Sequence, residues 1–469
     1  MPPSQTTNYT IHLLPNFEPV NVYPNHTIHL LPNSEPVNVC PYRYPYFQKQ
    51  EIETQVRAML QNGIIHPSTS HFSSPVLLVK KCDRSWRFCI YYQALNSITV
   101  KDRFPIPTID ELLDELGGAS WFLKLDLLQG YPHILMKDDD VSKTSHYEFQ
   151  VMPFGLCNAP STFQVTMNSI FAPHLRKFII VFFDDILVYN KSFPEHLTHL
   201  ETTFQVLLTG QFFLKLSKCS FAQRQVEYLG HLVSTSGVEP VPANVKEIQD
   251  LPQPRTMRAL CGFLGLSRFY RRFIKGYALI ATPLTNLLTK DHIQWSLKAQ
   301  KAFDTLKDVV CKVSVLWLSD FSEPFVVKKD VSGVGMGTIL SQRGHPIAFF
   351  SKPFCLKLLH SSTYVRELAA ITTAVKKWLQ YLLGHHYTIL TNHRNPKELM
   401  TQVVQTPEQQ MYLARLLGYN YSIQYRSGKA NTVVDAVSRI PEPIVRQFLI
   451  LTEPHFVFLQ ELKRELQTY

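Results

Sequence analysis

The segment IIVFFDDILVY, residues 179–189, sets two adjacent carboxylates, Asp184 and Asp185, in the middle of an otherwise apolar run. A continuous buried strand cannot carry such a pair, because an unpaired charge away from water costs several kcal/mol or shifts its protonation. The run must therefore break at the acids, and apolar residues on both sides predict two strands joined by a tight turn with Asp184 and Asp185 at its tip. Alone, the pattern also fits an Asp-rich surface turn. A third acid narrows the choice: ASWFLKLDLLQGYPHILM, residues 119–136, reads as another strand carrying a single carboxylate, Asp126. Three carboxylates at the ends of neighbouring strands repel unless cations neutralise them, and oxygen-only ligands suit Mg²⁺, with Mn²⁺ as the alternative. A pair of such ions can activate an attacking oxygen and steady a leaving pyrophosphate.

The rest of the chain supplies elements around this turn. A near-duplication opens it: IHLLPNFEPVNVYP at 11–24 returns as IHLLPNSEPVNVCP at 28–41. Two copies are too few for a repeat fold, so a tandem duplication in an N-terminal extension is expected. FQKQEIETQVRAML predicts a helix with Ile52, Val56, Met59 and Leu60 on one face. SPVLLVKKCDRSWRFCIYY predicts a hairpin about a basic turn, and PTIDELLDELGG a short helix ended by Gly117 and Gly118. HYEFQVMPFGLCNAPSTFQVTMNSIF predicts a strand, a Pro/Gly turn and a helix.

Beyond Gly237, RALCGFLGLSRFYRRFIKGYALIATPLTNLL predicts a helix pair, apolar on one face and basic through Arg268, Arg271, Arg272 and Lys275. Those four suit phosphates, a plain solvated face being the alternative. From Phe321 onward three strands, a long helix (SSTYVRELAAITTAVKKWLQYLL), a strand (HYTILTNHR) and a final helix (ANTVVDAVSRI) are expected.

Charge points the same way. Forty-seven Lys and Arg against 37 Asp and Glu give +10, which favours a polyanionic partner such as nucleic acid, although charge alone leaves a membrane surface open. No stretch approaches the roughly 18 apolar residues of a membrane span, and the first residues lack the pattern of a signal peptide. A multidomain protein without a membrane partner is expected. The eight cysteines lack CxxC or zinc-ligand spacing and read as reduced thiols.

In order, LDLLQGY (125–131), MPFGLCNAPSTFQ (152–164), VFFDDILVY (181–189), LKLSKCSF (214–221) and YLGH (228–231) resemble the successive motifs of reverse transcriptases from LTR retrotransposons of the Ty3/gypsy type. The resemblance runs from about Pro41 to about Arg439. It implies that Asp126, Asp184 and Asp185 are polymerase metal ligands and that Tyr131 lies under the incoming sugar. It also places Lys81 and Arg87 at the triphosphate, Lys218 as an acid to the leaving group, and Gly155 close to template or nucleotide. From the residues alone, Tyr131 reads first as a core tyrosine, and Lys81 and Lys218 are equally surface lysines.

The last elements resemble the ribonuclease H domain of the same retrotransposons, whose four acidic positions fall on Asp330, Glu367, Asn392 and Asp435. An amide at 392 removes a negative charge from a metal site, so an impaired nuclease is expected. Other departures are Tyr91 and Gln93 in place of an acid and a basic residue, Leu128 in place of a polar one, and a gap before HYEF. No protease, zinc-knuckle or integrase signature is found, so a fragment of a Pol polyprotein is expected.

The resulting expectation is an α/β and α+β multidomain chain, a right-hand polymerase followed by a ribonuclease H-like domain. Its parts would be an extension (1–45), fingers and palm (46–237), thumb (238–300), tether (301–320), nuclease-like domain (321–440) and linker (441–469). Expected partners are RNA and DNA template and primer, RNA:DNA hybrid and deoxynucleoside triphosphates, with dimerisation open. The resemblance implies a cytoplasmic virus-like particle or the nucleus as location. A silent remnant that only binds nucleic acid, and a chain that does not fold stably, are the other readings.

Overall fold

The structure is a computed structural model, and it describes residues 25–80, 86–128, 130–144, 147–289, 292–391 and 407–425. Lys81, Asn392, Asp435, the first copy of the duplication and the expected final helix lie outside the described residues. The chain divides into two compact units, one of residues 1–112 and 119–226, the other of 113–118 and 227–469.

The first unit begins with α1 (Tyr46–Gln61), β1 (Ile65–Pro67) and the expected hairpin, β2 (Val76–Lys80) with β3 (Trp86–Ile90). There follow α2 (Gln93–Ile98), α3 (Ile109–Asp114), whose last two residues belong to the second unit, β4 (Trp121–Asp126), α4 (Asp138–Val141) and β5 (Tyr147–Phe149). The unit closes with α5 (Ala159–Ile170), β6 (Ile179–Phe182), β7 (Asp185–Asn190), α6 (Phe193–Thr209) and β8 (Ser220–Gln223). β6, β7, β4 and β8 form one antiparallel sheet in that order. Its central strands, β4 and β7, are apolar because both faces are covered: Leu123, Leu125, Ile186 and Val188 are fully buried on one face, and Phe122 and Leu187 beside them in the alternation are fully buried as well. On α5, Phe163, Gln164 and Met167 at i, i+1 and i+4 supply the buried stripe.

The second copy of the duplication is not a loose extension. Ile28 is buried and its N–H donates to Asp140 Oδ2 at 2.9 Å, Leu30 bridges Thr99, and Asn38 bridges Ser73. The gap before HYEF is also accommodated. Thr144 is buried, its hydroxyl accepts from the Phe149 N–H at 3.1 Å, and β5 pairs with β1 in register Ile65 to Phe149.

The second unit holds β9 (Gln225–Tyr228), whose first two residues belong to the first unit, β10 (His231–Ser234) and β11 (Gly237–Pro240) in a small sheet. Next come α7 (Pro242–Gln249), α8 (Met257–Phe269), α9 (Tyr277–Thr285) and α10 (Leu297–Cys311). Much of the expected tether is thus the regular helix α10, which opens on a Ser296 cap and buries Ala299, Phe303, Leu306 and Val310. The remainder comprises β12 (Phe325–Val331), β13 (Gly335–Gln342), β14 (His345–Pro353), α11 (Leu356–Leu359), α12 (Thr363–Lys377), α13 (Leu379–Leu382), β15 (Tyr387–Thr391), α14 (Pro407–Ala414) and β16 (Tyr421–Tyr425). These strands form one sheet in the order β14, β13, β12, β15, β16, with β12, β15 and β16 parallel. Its core is Phe325, Val327, Leu340, Ile371, Trp378 and Ile389.

Candidate active site

β4 and β7 run antiparallel with Asp126 directly opposite Asp185, and the register continues through Leu125 to Ile186. Asp184 occupies the β6–β7 turn and is exposed, so the three acids gather at one end of the sheet, as the sequence predicts. The turn carries backbone strain: Phe183, next to Asp184, sits at φ 52°, a left-handed conformation that disfavours side chains. Buried Gln164 holds it there. Its Oε1 accepts from the Phe183 N–H at 2.8 Å and its Nε2 donates to the Val181 carbonyl at 3.0 Å.

The end of β4 is fixed from the other side, where Lys215 N–H donates to the Asp126 carbonyl at 2.9 Å. The 3₁₀ turn that follows, Leu216–Lys218, brings Lys218 Nζ to Asp126 Oδ2 at 2.9 Å. Lys124, two residues before Asp126, places its Nζ 3.4 Å from Asp185 Oδ1. Burial pushes the Asp185 carboxyl above its ordinary range; Lys124 opposes this, and the charges of Asp184 and Asp126 add to it. Among the described residues no three His, Cys, Asp or Glu side chains gather closely enough to hold a metal ion, and the cations on Asp126 and Asp185 are lysines. The donor set still suits a hard divalent ion. It is all oxygen, it opens to solvent at Asp184, and the Lys218 side chain is 57% exposed and free to swing aside.

Tyr131 lies beside these acids in sequence and is wedged between two rings. Phe163 stacks on it at 5.0 Å and Phe154 tilts against it at 4.6 Å. Gly130 makes room for this, since a Cβ there would stand 2.6 Å from Phe163 Cζ. Arg87 is exposed on β3 with its guanidinium 5.7 Å from the Phe154 ring centre. Gly155 has φ +102°, and a Cβ would meet the Ile90 carbonyl oxygen at 3.0 Å and the Tyr92 ring at 3.3 Å. The close approach at Gly155 is thus to the chain's own backbone. Tyr91 and Gln93, which replace a charged pair, hydrogen-bond to each other.

In the second unit the basic face expected on the thumb helices divides. Arg268 and Arg271 are exposed, but Arg272 is not part of that face: it pairs with buried Asp114 at 2.9 Å and donates to the Ile347 carbonyl at 3.2 Å. Lys275 is half-buried too, turned into a cleft with Lys328, Lys329 and Asp330, and burial lowers its pKa against the opposing charge of Asp330. Asp330, on β12, lies opposite Gly337 of β13. Glu367 on α12 is buried and ion-paired with Lys329, itself buried. Burial pulls the Lys329 ammonium down to about 7, with the Asp330 charge opposing. Among the described residues, the acidic positions of this region are Asp330 and Glu367, the second of them held by a buried ammonium.

Residues 79–233 match the family model for reverse transcriptase (RNA-dependent DNA polymerase), and 295–389 the model for the RNase H-like domain found in reverse transcriptase. The chain is 40% identical over 414 residues to the retrovirus-related Pol polyprotein from transposon 297 of Drosophila melanogaster, covering 85% of this chain and 39% of that one. Its reverse transcriptase and RNase H-like segments are similar to those of gypsy-type transposon Pol polyproteins. It is 32% identical over 414 residues to the Pol polyprotein of transposon gypsy, also of Drosophila melanogaster, covering 83% of this chain and 40% of the relative. With the Tf2-3 polyprotein of Schizosaccharomyces pombe it shares 31% over 425 residues, covering 86% and 32%. The chain spans less than half the length of these relatives. Its fold is similar to the foamy viral protease-reverse transcriptase solved with double-stranded DNA, at TM-score 0.78 and 21% identity over 86% of this chain and 74% of that one. The same viral protein solved with an RNA/DNA hybrid gives TM-score 0.73 at 21% identity, over 92% of this chain and 60% of that one.

Four residues of the site were not singled out from sequence. Lys124 and Phe154 were hidden in ordinary strand and turn patterns. Gln164 stood inside a quoted motif, but nothing in its spacing shows that its amide reaches another turn. Lys329 stood within an expected strand, and nothing in that pattern shows that its side chain is buried against Glu367.

Proposed function

We propose that this Pol chain catalyses RNA-directed DNA synthesis at the β4–β7 carboxylates, and that its ribonuclease H-like domain is impaired. The observation that carries the first part is the pairing of Asp126 with Asp185 across β4 and β7, beside a strained turn presenting Asp184. Asp126, Asp184 and Asp185 would hold Mg²⁺, or Mn²⁺, which when bound supplies the charge that activates a primer 3′ oxygen and steadies the leaving pyrophosphate. The chain's own groups do the rest. Lys218 leaves Asp126 and turns its ammonium toward the leaving group, to which it can give a proton. The Tyr131 side chain, held in place by its packing against Phe154 and Phe163, would stand beside the deoxyribose of a nucleotide and hinder a 2′ hydroxyl. Arg87 offers a fixed positive charge to the triphosphate, while Arg268 and Arg271 offer phosphate contacts to a template and primer duplex. Impairment of the nuclease rests on Asn392, whose amide contributes one neutral oxygen where a carboxylate would concentrate cations.

Primer extension on an RNA template with Mg²⁺ and deoxynucleotides tests the polymerase. Synthesis by the wild type that falls by about a hundredfold or more in Asp185→Asn is the expected result. A folded wild type that binds primer and template but makes no product would replace this reading with a nucleic-acid-binding remnant.

A further inference from the structure

We infer that the Lys329 ammonium replaces the divalent cation at the ribonuclease H-like site, so that this site is a metal-free, internally neutralised remnant. The inference rests on the Pol reading only for the identity of Asp330 and Glu367 as the acidic positions. Lys329 and Asp330 are neighbours on β12, and the alternation of that strand turns Lys329 inward while Asp330 stays half-exposed. The Lys329 side chain is 1% exposed, and its ammonium reaches Glu367 of α12, which is 5% exposed. An ammonium buried on a buried carboxylate cannot leave without stranding both charges, which costs about 3–5 kcal/mol.

The surroundings carry the same sign. Lys275 and Lys328 line the cleft with Lys329 and Asp330, so among the described residues three lysines surround the one carboxylate of that cleft. The polymerase site differs in kind, because Lys218 there is exposed and can withdraw into water. Loss of the charge at 392 and gain of one at 329 then act together, each lowering the attraction of the nuclease site for a divalent ion.

Methyl-labelled isoleucine in the full chain reads both sites at once when Mn²⁺ is added as a paramagnetic ion. Ile186 follows Asp185 on β7, and Ile371 lies one helical turn beyond Glu367 on α12; both are buried. The expected result is broadening of Ile186 with Ile371 left sharp. In Lys329→Thr, Ile371 should broaden at a Mn²⁺ concentration lower by about tenfold or more. Broadening of Ile371 alongside Ile186 in the wild type would overturn the inference, as would a folded Lys329→Thr in which Ile371 stays sharp. Lys329→Met preserves the volume of the stem should threonine unsettle the core. If neither variant folds, the wild-type Lys329 ammonium resonance decides: persistence under excess Mg²⁺ supports the inference and its displacement overturns it. A sharp Ile186 would count against the polymerase reading alone, because Ile371 reports separately.

Discussion

At the scale of single residues, the β4–β7 carboxylate site is a compromise between charge and burial. Asp185 is held above its ordinary protonation range by burial and by its acidic neighbours, so its ionised form costs the folded state free energy at neutral pH. A raised carboxylate favours the folded state at low pH and loses that contribution as pH climbs through the folded value. Replacing it with the neutral amide should therefore hold or raise the melting temperature while removing synthesis, and Mg²⁺ should raise the melting temperature of the wild type but not of Asp185→Asn. A variant that melts lower would show that Asp185 is held by more than the lysine beside it. Gln164 works at one remove. Its amide pairs two backbone groups of the strained turn, and Gln164→Leu leaves both unpaired at about 1–3 kcal/mol each. Synthesis should fall about ten- to a hundredfold, with a weaker Mg²⁺ dependence. Gln164→Glu, protonated by its burial, keeps an acceptor for Phe183 and a donor for Val181 and should lose less than leucine in a titration of rate against Mg²⁺. Equal losses would mean that the turn does not need the Phe183 bond.

At the scale of elements, much was legible because it depends on local pattern. The apolar, acid, apolar order of 179–189 gave β6, turn and β7, and the alternation around residue 82 gave the β2–β3 hairpin. What could not be read depends on distant partners. β16 is a short strand whose order comes from pairing with β15, and the second copy of the duplication has no periodicity because isolated bridges and one buried isoleucine fix it. Arg272 looked like its neighbours Arg268 and Arg271; only Asp114, 158 residues earlier in the chain, sets it apart. The docked repeat gives a test at this scale. Ile28→Ala should cost about 2–4 kcal/mol, read as a lower urea midpoint, because the side chain fills a closed core that cannot fully collapse. A change under about 0.5 kcal/mol would be that of a surface site and would return this segment to the status of a loose extension.

At the scale of the whole molecule, two units with separate cores need not unfold in one step, and pH should separate them. In the first unit His26 and His133 are buried, and burial lowers each from 6.5 to about 4; the Asp140 charge opposes this at His26, and a hydrogen bond to the Leu128 carbonyl opposes it at His133. His196 and His199 are lowered as well, chiefly by burial. A histidine with a depressed folded value stabilises fully above the unfolded value and loses that contribution as pH falls toward the folded one. Between pH 6.5 and about 4 the unfolded chain takes up protons that the folded unit refuses, so each of His26 and His133 should contribute a slope of about 1.4 kcal/mol per pH unit. Urea midpoints of the first unit, followed by the methyl signals of its core between pH 7 and 5, should drop steeply. His133→Phe, whose ring can keep the packing against Phe212 at 4.9 Å, should remove one such increment of slope. A midpoint that stays level over this window, or a slope untouched by His133→Phe, would mean that the buried imidazoles reach water in the folded unit. The steep case would instead fix the acid limit of the proposed synthesis in the folding of this unit rather than in the titration of Asp126, Asp184 and Asp185.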